Sequence, residues 1–215
     1  MIKNIIFDWS GVIRNDIPRR LYIVNFILQK YHFKGISKEE LRKEWEKPPI
    51  LFYKKYIIKF PHPSKEEIRN EYNKIVKLSK KLIPPKPVGG IVRLLKKLKK
   101  RGFNLIVITG DYKKDIMDDI DFFKFDYLFS NIFYEMQNIS ADLEKTIREN
   151  NLNFEESLII ADNEEEIRVG KSLGLKTIGI TWGMQDKKRL KLAKPDFIAD
   201  NLIELESIIF CFLNQ

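Results

Sequence analysis

Apolar residues fall along this chain in two rhythms. Short unbroken runs end abruptly at a polar residue: Ile5-Ile6-Phe7-Asp8, Leu105-Ile106-Val107-Ile108-Thr109-Gly110, Ser157-Leu158-Ile159-Ile160-Ala161-Asp162 and Lys176-Thr177-Ile178-Gly179-Ile180-Thr181. A strand buried on both faces needs this kind of run. Between the runs, helical patterns fill the gaps over Ile91 to Arg101, Tyr112 to Phe122, Ala141 to Asn150 and Glu164 to Leu173. Strands alternating with helices require right-handed crossovers, so the pattern predicts an α/β fold with a parallel sheet covered on both faces. Ligands bind such sheets at the carboxyl ends of the strands, which would bring Asp8, Thr109 and Asp162 to one crevice.

The rhythm breaks from Asp16 to Ile83, a polar, Lys-rich stretch with three or four helix-like segments and no convincing strand. It reads as an all-helical insertion. Ser37 and Ser64 precede Glu-bearing runs, with Glu40 and Glu67 three residues on, and so predict capping boxes at two helix starts. Pro84-Pro85-Lys86-Pro87 cannot continue a helix and closes the insertion as a stiff connector. The expected division is a core of residues 1–15 and 85–215 with an inserted unit of residues 16–84. Trp45, Phe52, Tyr53 and Tyr56 fall at helical spacing within the insertion, which favours packing over the lining of a pocket. Leu205, Ile208, Ile209, Phe210, Phe212 and Leu213 predict a strongly apolar helix near the carboxyl end. It would cover the sheet edge, and apolar residues on more than one of its faces leave room for a homodimer contact.

Composition narrows the class without changing the fold. With 215 residues, 44% hydrophobic and 32% charged, the chain can bury a sizeable core and is globular in character. No apolar run approaches the ~20 residues of a membrane span. The opening Met1 to Phe7 leads directly into Asp8 and reads as a strand and not as a cleaved signal, so cytoplasm is the default location. A single cysteine excludes an intrachain disulfide, and Cys211 is expected to be a small apolar residue on a buried helix. His32 and His62 have no metal-ligand spacing and read as ordinary cap or loop residues. A net charge of +9 raises the question of nucleic acid. The lysines, however, are interleaved with Glu, as in Ser37-Lys38-Glu39-Glu40, which describes solvated helix faces and no nucleic-acid partner.

Phe7-Asp8-Trp9-Ser10-Gly11-Val12 resembles the first motif of the haloacid dehalogenase-like hydrolases, an Asp-x-Asp-Gly-Thr/Val loop after the first strand. Val88-Gly89-Gly90 through Gly102, then Ile108-Thr109-Gly110, is similar to the stretch leading into the second motif. Ile160 to Ile167 resembles the fourth motif, and Gly174 to Ile180 the strand that follows it. The resemblance implies a Rossmann-like parallel-sheet core with residues 16–84 as a small all-helical cap. It implies Asp8 as the nucleophile that forms an aspartyl-phosphate on a small phosphorylated substrate. Mg2+ would be held by the carboxylates of Asp8 and Asp162 and the backbone carbonyl of Ser10, with Glu166 orienting waters behind it. Thr109 and backbone amides near Gly110 would bind phosphate. Taken singly, Asp8 and Thr109 also suit a turn or a polar strand end, and Asp162 and Glu166 suit the first turn of a helix.

Two departures bear on activity. Most phosphatases of the family carry a second Asp two residues after the nucleophile, as the general acid that protonates the leaving oxygen. Here that residue is Ser10. An alkyl hydroxyl titrates far above neutral pH, and loss of a general acid typically costs ~100- to 10,000-fold. Gln137 stands where the third motif usually has a Lys that pairs with the phosphate. Lys145 on the following helix is a substitute for it, or simply a solvated helix lysine. Three readings follow: a phosphatase narrowed to leaving groups that need little protonation, such as an acyl phosphate; a carbon-halogen or carbon-phosphorus bond hydrolase; and a catalytically degenerate binding or regulatory protein. The first is preferred.

Overall fold

A computed structural model describes residues 1–46, 49–57, 64–136 and 138–212, so His62, Gln137 and Leu213 lie outside the described residues. Asn4–Asp8 forms β1, buried at every position. Parallel neighbours flank it, β2 (Asn104–Ile108) on one side and β4 (Ser157–Ala161) on the other. With β3 (Asn131–Phe133), β5 (Lys176–Ile180) and β6 (Phe197–Ala199) they make a parallel sheet in the order β3-β2-β1-β4-β5-β6. The chain runs outward through β2 and β3, then returns to lay β4 against the other side of β1. At such a reversal of strand order, here between β1 and β4, α/β sheets bind their ligands. Only the two three-residue strands escaped the sequence pattern, because three residues establish no periodicity.

Asp16–Pro85 forms a compact unit separate from Met1–Asn15 and Lys86–Gln215. Its helices are α1 (Ile17–Lys30), α2 (Lys38–Glu44), α3 (Pro49–Ile57) and α4 (Lys65–Leu82). Both capping boxes are present: the Ser37 and Ser64 hydroxyls accept from the amides of Glu40 and Glu67, whose carboxylates accept from the serine amides in return. Within the unit, Lys30 pairs with Glu71 at 2.6 Å and Arg20 donates to the Tyr72 hydroxyl at 2.9 Å, tying α1 to α4. Trp45, Phe52 and Tyr53 are buried against one another, and Tyr56 leans on Phe52. These aromatics are packing residues. Burial pushes the Tyr53 phenol far above its ordinary value. His32 is exposed in a left-handed turn.

Returning to the larger unit, α5 (Ile91–Lys100), α6 (Lys113–Phe123), α7 (Ile139–Glu149), α8 (Glu164–Ser172), α9 (Lys187–Leu192) and α10 (Leu202–Cys211) surround the sheet. Alternation along the strands sorts the core. Ile5, Phe7, Leu105, Val107, Leu158 and Ile160 pack with Leu94 and Leu98 of α5, Ile116 of α6, and Leu205 and Ile209 of α10. Ile6, Ile106, Ile108 and Ile159 pack on the opposite face with Leu143 and Ile147 of α7 and Val169 of α8. Each such side chain contributes about 1.5–3 kcal/mol by leaving water, so the strand ends are anchored by their apolar stems. One expectation fails: Cys211 is exposed. Leu205 and Ile209 form the buried stripe of α10, and a residue two beyond Ile209 points roughly 200° away around the helix. No helix among the described residues is long and apolar enough to cross a membrane.

Helix α8 lies against β4 and β5 through Gly170, where an added Cβ would come within 2.6 Å of Ile159 Cγ2 and 3.2 Å of Thr177 Cγ2. Gly170→Ala is therefore expected to destabilise the fold by about 1–3 kcal/mol through overpacking, despite alanine's better helix propensity. A urea-denaturation midpoint equal to that of the wild type would show that the helix can move away freely.

Candidate active site

Parallel pairing sets the geometry of the site. Asp8 is the last residue of β1, in register with Ile108, so Thr109 stands one residue past the end of β2. Phe7 pairs with Ile160 on the other side, placing Asp162 just past the end of β4. All three polar residues are at most 4% exposed. Asp8 and Asp162 are joined by Glu166 from the first turn of α8, and oxygens of the three carboxylates lie within 4.8 Å of one another. Gathered so closely, ionised carboxylates repel by on the order of 3 kcal/mol per pair at an effective dielectric of about 20. A divalent cation offsets that repulsion, and a set made only of oxygen donors suits a hard ion such as Mg2+. The amino-terminal end of α8 contributes partial positive charge, and its cap Asn163 accepts from the Glu166 amide at 3.0 Å.

Two glycines keep this space open. Gly11 adopts φ +91°, and a Cβ there would lie 1.9 Å from Asp162 Oδ2; one at Gly183 would lie 2.3 Å from the same oxygen. The loop after β5 braces Asp162 from behind: the Met184 amide donates to its Oδ2 at 2.7 Å, and the Gln185 amide to its backbone carbonyl at 3.2 Å. Gln185 Oε1 in turn accepts from the Glu164 amide at 2.7 Å. Burial works to raise the Glu164 carboxyl, but hydrogen bonds from Arg189 and Arg168 outweigh it and hold that group below the ordinary carboxylate range.

The loop after β1 is a tight turn, with the Ile13 and Arg14 amides both donating to the Trp9 carbonyl. It folds Arg14 back beside Ser10. The Arg14 side chain is 5% exposed and donates to Asp111 at 2.7 Å, to Asp119 of α6 at 2.5 Å and to the Ser10 hydroxyl at 2.7 Å. Trp9 Nε1 reaches the same Asp119 carboxylate at 3.4 Å. On the β2 side, the Asp111 amide donates to Thr109 Oγ1 at 3.1 Å. Accepting there uses an oxygen lone pair and leaves the Thr109 hydroxyl proton for an anion.

Of the residues singled out in the sequence, Asp8, Thr109, Asp162 and Glu166 meet at the strand ends. Ser10 and Gly110 lie in the loops after β1 and β2. Lys145 does not join them: its side chain is 70% exposed on α7, within 3.9 Å of Glu149. It lines a separate groove of about 420 Å3 beside β3 with Tyr134, Met136 and Thr146. Arg14, Asp111, Asp119 and Gly183 belong to the site but were missed. A lone Arg beside the otherwise apolar Val12-Ile13, and an acid directly after Thr109-Gly110, were the signals available.

A sequence model of the haloacid dehalogenase-like hydrolases matches residues 5–180. Among curated proteins, a pyrophosphatase PpaX from Bacillus mycoides is 21% identical, with 97% of each chain covered. A PpaX from Bacillus cereus is 24% identical over 124 residues, and there the chain spans only 57% of its relative's length. Among solved structures, a haloacid dehalogenase-like hydrolase from Streptococcus pneumoniae superimposes with a TM-score of 0.82 at 17% identity, covering 97% of this chain and 98% of that one. A predicted phosphatase from Clostridium acetobutylicum gives a TM-score of 0.80 at 22% identity, covering 98% and 99%. The family model's match over residues 5–180, from β1 through β5, shows that this chain belongs to the haloacid dehalogenase-like hydrolase family.

Proposed function

We propose that this protein is a magnesium-dependent phosphatase that hydrolyses a small phosphorylated metabolite through an aspartyl-phosphate on Asp8. The observation that carries this reading is the buried meeting of Asp8, Asp162 and Glu166 at the ends of β1 and β4. Relatives named as pyrophosphatases and phosphatases support the same reaction class. An Asp8 oxygen attacks phosphorus while the bond from phosphorus to the leaving oxygen breaks; water then attacks the same phosphorus and releases Asp8. Thr109 donates its hydroxyl to a phosphoryl oxygen, with the amides beside Gly110 adding donors. The carboxylates of Asp8 and Asp162 and the carbonyl of Ser10 would hold Mg2+, with Glu166 behind them, and its charge would offset repulsion between Asp8 and the phosphate. From its place in the chain after the first motif, the helical unit takes the part of the family's cap, which selects substrate.

A second reading, a catalytically degenerate binding or regulatory protein, is favoured by one feature: Ser10 stands where a carboxylic acid would serve the leaving group.

The phosphatase reading is tested by phosphate release with and without Mg2+. Turnover is expected in the wild type and a loss of at least about 1,000-fold in Asp8→Asn. An Asp8→Asn protein that keeps wild-type turnover would sink the reading, and a wild type that is silent towards every phosphate while still binding Mg2+ would favour the second. Gly183→Ala pushes a methyl into Asp162 and is expected to weaken Mg2+ binding about 10- to 100-fold, read by titration calorimetry. Unchanged affinity would remove Asp162 from the metal-binding set.

A further inference from the structure

The Ser10 hydroxyl is engaged on two sides. Its oxygen accepts from Arg14 Nη2 at 2.7 Å and lies 3.0 Å from Asp111 Oδ2. That same carboxylate oxygen accepts from Arg14 Nη2 at 2.7 Å. A guanidinium only donates and a carboxylate only accepts, so the proton between Ser10 and Asp111 is the serine's. Arg14 cannot swing away easily, because its other amino group is held by buried Asp119, which Trp9 also contacts. A hydroxyl carries one proton and two lone pairs. With the proton directed to Asp111 and one pair to Arg14, a single lone pair remains. Ser10 can accept a further hydrogen bond but has none left to give.

The geometry points to Asp111, clamped by Arg14, as the positioning residue that makes Ser10 an acceptor only and so confines turnover to leaving oxygens that depart without a proton: acyl phosphates and phosphoric anhydrides over alkyl phosphomonoesters. This rests on the phosphatase reading. In the first step an Asp8 oxygen bonds to phosphorus, the bond to the leaving oxygen breaks, and the electron pair goes with that oxygen. A carboxylate or phosphate leaves as a stable anion. An alkoxide does not, and Ser10, an alkyl hydroxyl that points its proton at Asp111, supplies it with neither a proton nor a hydrogen bond. In the second step the remaining Ser10 lone pair accepts a hydrogen bond from the incoming water. Water oxygen bonds to phosphorus, the bond from phosphorus to Asp8 breaks, and both protons of the water stay with the phosphate formed. Asp111 thus acts through the serine by fixing the direction of its hydroxyl and takes up no proton itself.

The test measures kcat and KM for acetyl phosphate, a series of aryl phosphates of graded leaving-group acidity, and glycerol phosphate. The proteins are wild type, Asp8→Asn, Asp111→Ala and the exchange Ser10→Asp/Asp111→Ser, which preserves net charge and a carboxylate near Arg14. Wild type is expected to favour acetyl phosphate over glycerol phosphate by at least about 1,000-fold in kcat/KM, with a steep decline along the aryl series. The exchange should raise glycerol phosphate relative to acetyl phosphate about 100-fold and flatten the series. Asp111→Ala should lower kcat for acetyl phosphate at least about 10-fold with KM within about threefold, since it loosens Ser10 without removing a substrate contact. A wild type that turns over the two substrates within about tenfold of each other overturns the proposal whatever the variants do, as does an active exchange variant with unaltered selectivity. If Asp8→Asn retains turnover, or no substrate is turned over, the phosphatase reading falls and the proposal with it. Turnover that depends on Asp8 but shows a flat series defeats the proposal alone.

Discussion

Three carboxylates held within 4.8 Å of one another in a buried site are the constraint around which the larger unit is organised. Left to themselves, ionised acids this close would repel one another. They stay together because each is fixed to something stronger than their repulsion. Asp8 ends β1 and Asp162 directly follows β4, strands whose apolar residues are buried on both faces, and Glu166 sits in the first turn of a helix capped by Asn163. Gly11 and Gly183 leave out Cβ atoms that would collide with the Asp162 carboxylate, and the Met184 amide donates to it at 2.7 Å. An all-oxygen arrangement of this kind, at the carboxyl ends of the two central strands, suits a divalent cation.

A second charge network stands beside the first with the opposite construction. Arg14 is nearly as buried as the acids, yet it is surrounded by Asp111, Asp119 and Ser10, so its charge is met by two carboxylates. Buried ion pairs of this kind add little net stability because both partners lose water, but removing one partner leaves a bare charge and costs about 3–5 kcal/mol. Their value here is directional. The network ties the loop after β1 to the loop after β2 and to α6, and it dictates which way the hydroxyl of Ser10 faces. The departure from the family's first motif at position 10 is therefore accompanied by a matched set of partners.

The helical unit is built on different terms. Two of its helices, α2 and α4, start at serine capping boxes, and Trp45, Phe52 and Tyr53 pack against one another. Local sequence accounts for nearly all of this, since a capping box spans three residues and needs no distant partner.

The sequence by itself determined the elements whose signals are local or fully periodic. Strands β1, β2, β4 and β5 were legible because burial on both faces demands an uninterrupted apolar run, and Asp8, Thr109 and Asp162 were legible as the polar residues ending three of those runs. Strands β3 and β6 and helix α9 were not, being too short to show a period. Tertiary structure alone decided that Arg14 would meet Asp111 and Asp119, 97 and 105 residues away, that Gly183 would make room for Asp162, and that Cys211 would face water. Those outcomes depend on strand register and helix rotation, in which a shift of one residue turns a side chain to another face, and no spacing along the chain records the result.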